Sequence, residues 1–218
     1  MLDKFSLTRT QEQNLMEKNM SQLVYLAGKF EHLQTSLLDT KAILSDLPVA
    51  GVKPSTIRVI LNLHDAFTYA TVPTSTAPVT VETISHINLL VQGGGAPEAG
   101  QFRDRAIVVP LTDDEYQPPI PDPVETTTAV HSILAADTST TDRALTLLLW
   151  LMRSQLFLDG NKRTALVAAN ALLFSDNRGL LAIPEDKLHW FNWQLEKFYK
   201  NGADASLKQW LYTNALFG

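Results

Sequence analysis

The sequence predicts an all-α fold carrying one small β-hairpin. Three observations lead there. Apolar residues recur at helical spacing over most of the chain, helix start and stop signals punctuate them, and β-branched character is concentrated in residues 100–109.

Taken in order, residues 9–46 place Leu15, Leu23, Leu26, Phe30, Leu33, Leu37, Leu38 and Leu44 near helical spacing, so they read as one or two helices. Pro48 and Gly51 interrupt them. Pro54, followed by Ser55-Thr56, opens the next helix. Residues 71–80 are rich in Pro and Thr and read as a loop. Residues 81–91 form a short helix stopped by Gly93-Gly94-Gly95. Between Gly100 and Val109 the pattern turns to that of a strand or hairpin arm. Asp113, Asp114 and four prolines then mark an extended loop. Helices follow over 123–137, 142–154, 161–176, 184–200 and 204–216, with Asp176-Asn177-Arg178-Gly179 as a stop signal.

Composition narrows the function classes. The chain has 218 residues, 45% of them hydrophobic, and its mean hydropathy is near zero, as expected of a folded domain with a core. A net charge of -5 gives no basic field for nucleic acid or anionic membranes. The absence of cysteine excludes disulfides, zinc knuckles and thiol nucleophiles. The first residues lack the apolar stretch of a secretory signal, and the most apolar run, 144–152, is too short to span a bilayer. The expectation is a cytoplasmic protein with no nucleic-acid or membrane partner.

One linker stands out. Residues 144–152 are apolar all round, which predicts an enclosed helix, and Ala165, Ala168 and Ala169 permit a second helix to approach it closely. Between the two lies Leu156-Phe157-Leu158-Asp159-Gly160-Asn161-Lys162-Arg163. Gly160 allows a tight turn, and the helix that opens after it offers free amides and a positive dipole end to an anion. Lys162 and Arg163 add charge, Arg being suited to gripping two phosphate oxygens. Asp159 suits Mg²⁺ beside a polyphosphate, and Phe157 is expected to anchor the turn inward. Taken alone, such a turn is more often a plain interhelical connection. The P-loop order of glycines and lysine is missing.

The segment resembles the Fic/Doc signature His-x-Phe-x-Asp-Gly-Asn-x-Arg. Phe157, Asp159, Gly160, Asn161 and Arg163 match it, and residues 159–165 are close to the Doc-like form. Gly100-Gln101-Phe102-Arg103 with Ile107-Val108-Val109 is similar to the segment leading into the family's flap hairpin, and Tyr116-Gln117-Pro118-Pro119 to its Pro-Pro turn. The resemblance implies a Fic-like helical bundle over residues 51–218, preceded by an N-terminal helical segment, 1–50. It implies ATP or a related nucleotide with Mg²⁺ as cofactors, with Phe157, Gly160, Asn161, Lys162 and Arg163 around the nucleotide and Asp159 on the metal. It further implies a protein substrate or an antitoxin-like partner, the flap residues Arg103, Asp104, Arg105, Ala106 and Ile107 pairing with a target strand. Family enzymes move AMP or another phosphate-containing group onto a protein hydroxyl.

Three departures qualify that implication. Gln155 stands where the family has its general-base histidine, and an amide has no useful basicity; general-base catalysis contributes about 10²–10⁴-fold. Leu166 stands where many AMP-transferring members carry a second arginine, as it does in Doc. Glu31 aligns with the family's inhibitory glutamate, but Ala27 and His32 depart from its context, so Glu31 is expected to be a surface or helix-packing acid. Of the histidines elsewhere, His64 and His131 stay open as substitutes for the base, with nothing arguing for them. Three functions remain in view: a nucleotide-binding protein impaired as a transferase, an active Doc-like transferase of the toxin type, and a non-catalytic interaction module. Oligomeric state is not legible.

Overall fold

The structure, a computed structural model, describes residues 1–71 and 79–218. Most of the expected 71–80 loop therefore lies outside the described residues. Nine α-helices and two short antiparallel strand pairs make up what is described.

Residues 9–46 divide into α1 (Arg9–Gly28) and α2 (Leu37–Leu44). Each begins with a capping box, Thr8 with Gln11 and Ser36 with Asp39, which satisfies the first free amides reciprocally. A 3₁₀ turn, Lys29–Glu31, follows α1, and His32 at φ 55° then turns the chain away. The next helices are α3 (Pro54–Thr71) and α4 (Val81–Gln92). Gly93 closes α4 at φ 77°; a Cβ there would stand 2.6 Å from the Asn62 side-chain amide, so a glycine is required. Then come α5 (Pro123–Leu134), with Asp122 as its cap, α6 (Thr140–Ser154), α7 (Asn161–Ser175), α8 (Leu188–Asn201) and α9 (Ala205–Asn214).

The centre is α7. It packs against α6, α3 and α4 at once, and every residue from Arg163 to Phe174 is buried. Ala165, Ala168 and Ala169 are fully enclosed, as the close α6–α7 approach requires. Segment 1–50 shares this core: α1 packs on α3 and α7 and buries Leu23 and Val24 completely. Each such aliphatic side chain contributes about 1.5–3 kcal/mol.

Two expectations need correction. The strand expected over 100–109 is reduced to a two-residue β1 (Val109–Pro110), paired with β2 (Glu115–Tyr116). The preceding arm is tied down by Arg103 instead of laddered: its backbone N–H donates to Leu156 O and its guanidinium to other carbonyls. The helix expected over 204–216 stops at Asn214, because Leu216–Phe217 (β4) pairs with Leu180–Leu181 (β3). Asn170 on α7 fixes that second pair. Its amide donates to Leu181 O and its oxygen accepts from Leu181 N, at 2.8 and 2.9 Å.

Candidate functional site

The loop between α6 and α7 is built from both sides. At the end of α6, Gln155 adopts the left-handed conformation (φ 47°) and turns the chain. Phe157 then drops into the core, 1% exposed, against the Phe102 ring at 5.7 Å. Asn161 clamps the turn: its Oδ1 accepts from Phe157 N and its Nδ2 donates to Phe157 O, at 2.9 and 2.8 Å. Gly160 sits at φ 75°, where a Cβ would press on Val91 and Asn88 of α4. It provides no side-chain cap, so the amides opening α7 carry no side-chain acceptor from it. An Asn161→Ala variant is expected to lose about 2 kcal/mol, measured as a shift in the urea midpoint, because it strands two buried backbone groups.

The charged residues divide sharply by burial. Arg163 is 3% exposed; its Nε lies 2.8 Å from Glu31 Oε1, and an Nη reaches Asp159 Oδ2 at 3.5 Å. Its Nε finds no aligned hydrogen-bond acceptor among the described residues, so the Glu31 contact is an ion pair without hydrogen-bond geometry. Glu31 is thus not a bystander on the surface: the 3₁₀ turn after α1 carries it to the loop's arginine. Lys162 lies over the Phe30 ring, and burial lowers its pKa against the opposing pull of Glu31 and Glu196. Asp159 remains largely exposed, with one oxygen accepting from Gly160 N at 2.6 Å.

Gln155 does not face the loop. Its Nε2 donates to Met152 O at 2.6 Å and reaches the Tyr199 hydroxyl at 3.5 Å, and the residue is 7% exposed. Tyr199 is itself buried, which raises its pKa, and its ring stacks on Tyr116 of β2 at 5.3 Å. The two histidines left open as bases lie on α3 and α5. His64 faces Asp65 at 3.7 Å, and His131 lies in the last turn of α5.

The flap residues are brought to the same end of the molecule in unequal roles. Arg103 is 2% exposed and donates to the carbonyls of Gln155 (2.7 Å), Arg105 (2.9 Å), Pro118 (3.3 Å) and Pro119. It fastens the arm to the loop and to the Pro-Pro turn. Asp104 and Ala106 are exposed, Ile107 is half-buried, and exposed Arg105 pairs with Glu98 at 3.0 Å. At the hairpin tip, the Thr112 N–H and hydroxyl both donate to Glu196 of α8 at 3.1 Å.

Sequence reasoning missed Asn88. Its Nδ2 donates to Asp159 O and Thr164 Oγ1, both at 3.0 Å, and its Oδ1 accepts from Gly100 N at 2.9 Å. The available signal was a fully buried amide among Ile84, Ile87 and Val91 on one helix.

A helix N-terminus opened by a left-handed glycine, flanked by a buried arginine and an exposed carboxylate, is an arrangement with the chemistry to receive an anion. Residues 78–173 match the model of the Fic/DOC family. Similar folds include Fic-1 (residues 134–508) from C. elegans, at TM-score 0.77 and 18% identity, covering 97% of this chain and 64% of that one. A Fic domain containing signaling protein from Bacteroides thetaiotaomicron matches at TM-score 0.76 and 16% identity, with 92% and 85% covered. A Fic family protein from Desulfovibrio desulfuricans matches at 0.77 and 14%, with 93% and 65% covered. The chain thus spans less than two thirds of the nematode chain's length. No curated protein matches the sequence. Residues 78–173 are thus similar to the Fic/DOC family, and the chain shares the fold of these Fic-domain structures. No described helix is long and apolar enough to cross a membrane.

Proposed function

We propose that this protein binds the phosphates of ATP or a related nucleotide at residues 159–164, and that Gln155 leaves it impaired as a transferase of AMP or phosphate to a protein hydroxyl. The observation carrying this reading is the pairing of the uncapped α7 N-terminus with the buried Arg163 head. A phosphate arriving there gains backbone donors, the helix dipole and a guanidinium together. Glu31 occupies that guanidinium now, so it competes with the incoming anion.

The donor set fits Mg²⁺ bound mainly through the nucleotide. Among the described residues no three acidic or histidine side chains gather as a metal cage. Asp159 alone would supply a protein oxygen, leaving the other positions to phosphate and water. When bound, the metal would neutralise phosphate charge. The chain's own contribution is positioning: Asn161 and Asn88 fix the turn, and the arm from Asp104 to Val108, exposed except at Ile107, would face a target segment. The Gln155 amide, bonded to Met152 O, would have to turn away from that carbonyl to meet an acceptor hydroxyl, and would not take its proton.

Calorimetric titration with Mg·ATP tests the reading. The wild type is expected to bind saturably by about millimolar nucleotide, and Arg163→Ala to weaken binding by about tenfold or more. Absence of any saturable, Arg163-dependent signal sinks it. Incubating the protein and a lysate with ATP labelled at the α- or γ-phosphate then separates binding from catalysis. Asp159-dependent transfer at ordinary enzyme rates would replace impairment with an active, Doc-like transferase.

A further inference from the structure

Behind the loop lies a second wall. Glu31, Asp159 and Arg163 share a cleft of about 480 Å³ with Ser55, Arg58 and Asn62 of α3. Its two arginines differ. Arg163 is buried and held by Glu31 and Asp159, whereas Arg58 is exposed, and among the described residues nothing gives its guanidinium an ion pair or hydrogen bond. On α7 itself, Leu166 is fully buried and offers no charge to any ligand.

A polyphosphate reaching Arg163 carries more negative charge than one guanidinium and a helix end neutralise. The cleft continues from Arg163 toward α3, where the remaining charge would meet Arg58. We infer that Arg58 is the second arginine of the anion site, a positioning residue supplied by α3 that grips the part of a polyphosphate extending past Arg163. The ligand class is then a di- or triphosphate chain in preference to a single phosphate. Free of ligand, the cleft's two acids balance its two arginines; a bound polyphosphate takes over the role of Glu31 toward Arg163.

This rests on the phosphate-site reading above, and the test separates the two. Inorganic tripolyphosphate and inorganic phosphate are titrated calorimetrically into the full chain, the wild type and the Arg58→Gln, Arg58→Lys and Arg163→Ala variants. Expected is saturable tripolyphosphate binding that Arg58→Gln weakens about tenfold, that Arg58→Lys largely retains, and that Arg163→Ala loses. Phosphate binding should be indifferent to position 58. Because Arg58 is exposed, the melting temperature of Arg58→Gln should match the wild type, so lost affinity is not lost fold. Tripolyphosphate binding that needs Arg163 but ignores Arg58→Gln overturns the inference and leaves the phosphate site standing. Equal weakening of phosphate and tripolyphosphate by Arg58→Gln overturns the preference for a chain. No saturable binding of either ligand overturns both readings.

Discussion

Replacing Gln155 with histidine is expected to raise transfer of label from ATP to lysate protein by roughly 10²–10⁴-fold at neutral pH, the usual contribution of a general base. The gain should appear as pH rises through the imidazole range near 6.5, since only the neutral ring accepts a proton. The left-handed backbone at position 155 already turns the chain into the loop, so the substitution asks for a side-chain reorientation away from Met152 O and Tyr199 rather than a new turn. Glu31 still holds Arg163 in that variant, which sets its affinity for nucleotide apart from its chemistry. Transfer that stays at the Gln155 level would show that more than a proton acceptor is missing.

A second large effect is expected far from the loop. Glu12 on α1 is fully buried, with one oxygen accepting from Gly179 N at 3.1 Å and the other without a hydrogen-bond partner among the described residues. Burial pushes its carboxyl from an ordinary 4.5 up to about 7, the Gly179 bond and Arg9 opposing. Between those values the folded chain holds a proton that the unfolded chain has released. Stability therefore falls as pH rises from about 4.5 to 7, and the full cost, about 3 kcal/mol at most, is present above that window. Glu12→Gln keeps an acceptor for Gly179 and carries no charge. It should be more stable than the wild type by about 2 kcal/mol at pH 8 and nearly equal to it at pH 4.5, as read from urea midpoints. Parallel stability profiles for the two proteins would contradict this assignment.

How much could be read beforehand depended on how local the determining interactions are. Phe157, Gly160, Asn161 and Arg163 serve one turn, so their spacing along the chain is also their geometry. The nine helices of the described residues follow from apolar periodicity and local start and stop signals for the same reason. Glu31 is different: 132 positions separate it from Arg163, and only the packing of α1 on α7 brings the pair together. Arg103 reads as a flap residue offered to a target, yet besides Arg105 its carbonyl partners lie at positions 118, 119 and 155, beyond the reach of any periodicity. The Leu180–Leu181 pair with Leu216–Phe217 is too short to leave an alternating pattern, and its register is held by Asn170 across the core. Gln155 reads in the sequence as an amide at the position of the family's histidine, but its bond toward Tyr199 of α8 is a long-range contact that no local pattern marks.

The Asn88 side chain has a mechanical consequence. One amide group touches the loop at Asp159, the helix it opens at Thr164, and the lead-in to the flap at Gly100. The proposed phosphate loop and the proposed target-facing arm are thereby mounted on a single bracket, with α4 as the gauge that spaces them. On the proposed function, a target segment would have to fit the reach between the two by its own length, because a shift of either one pulls on the other through Asn88.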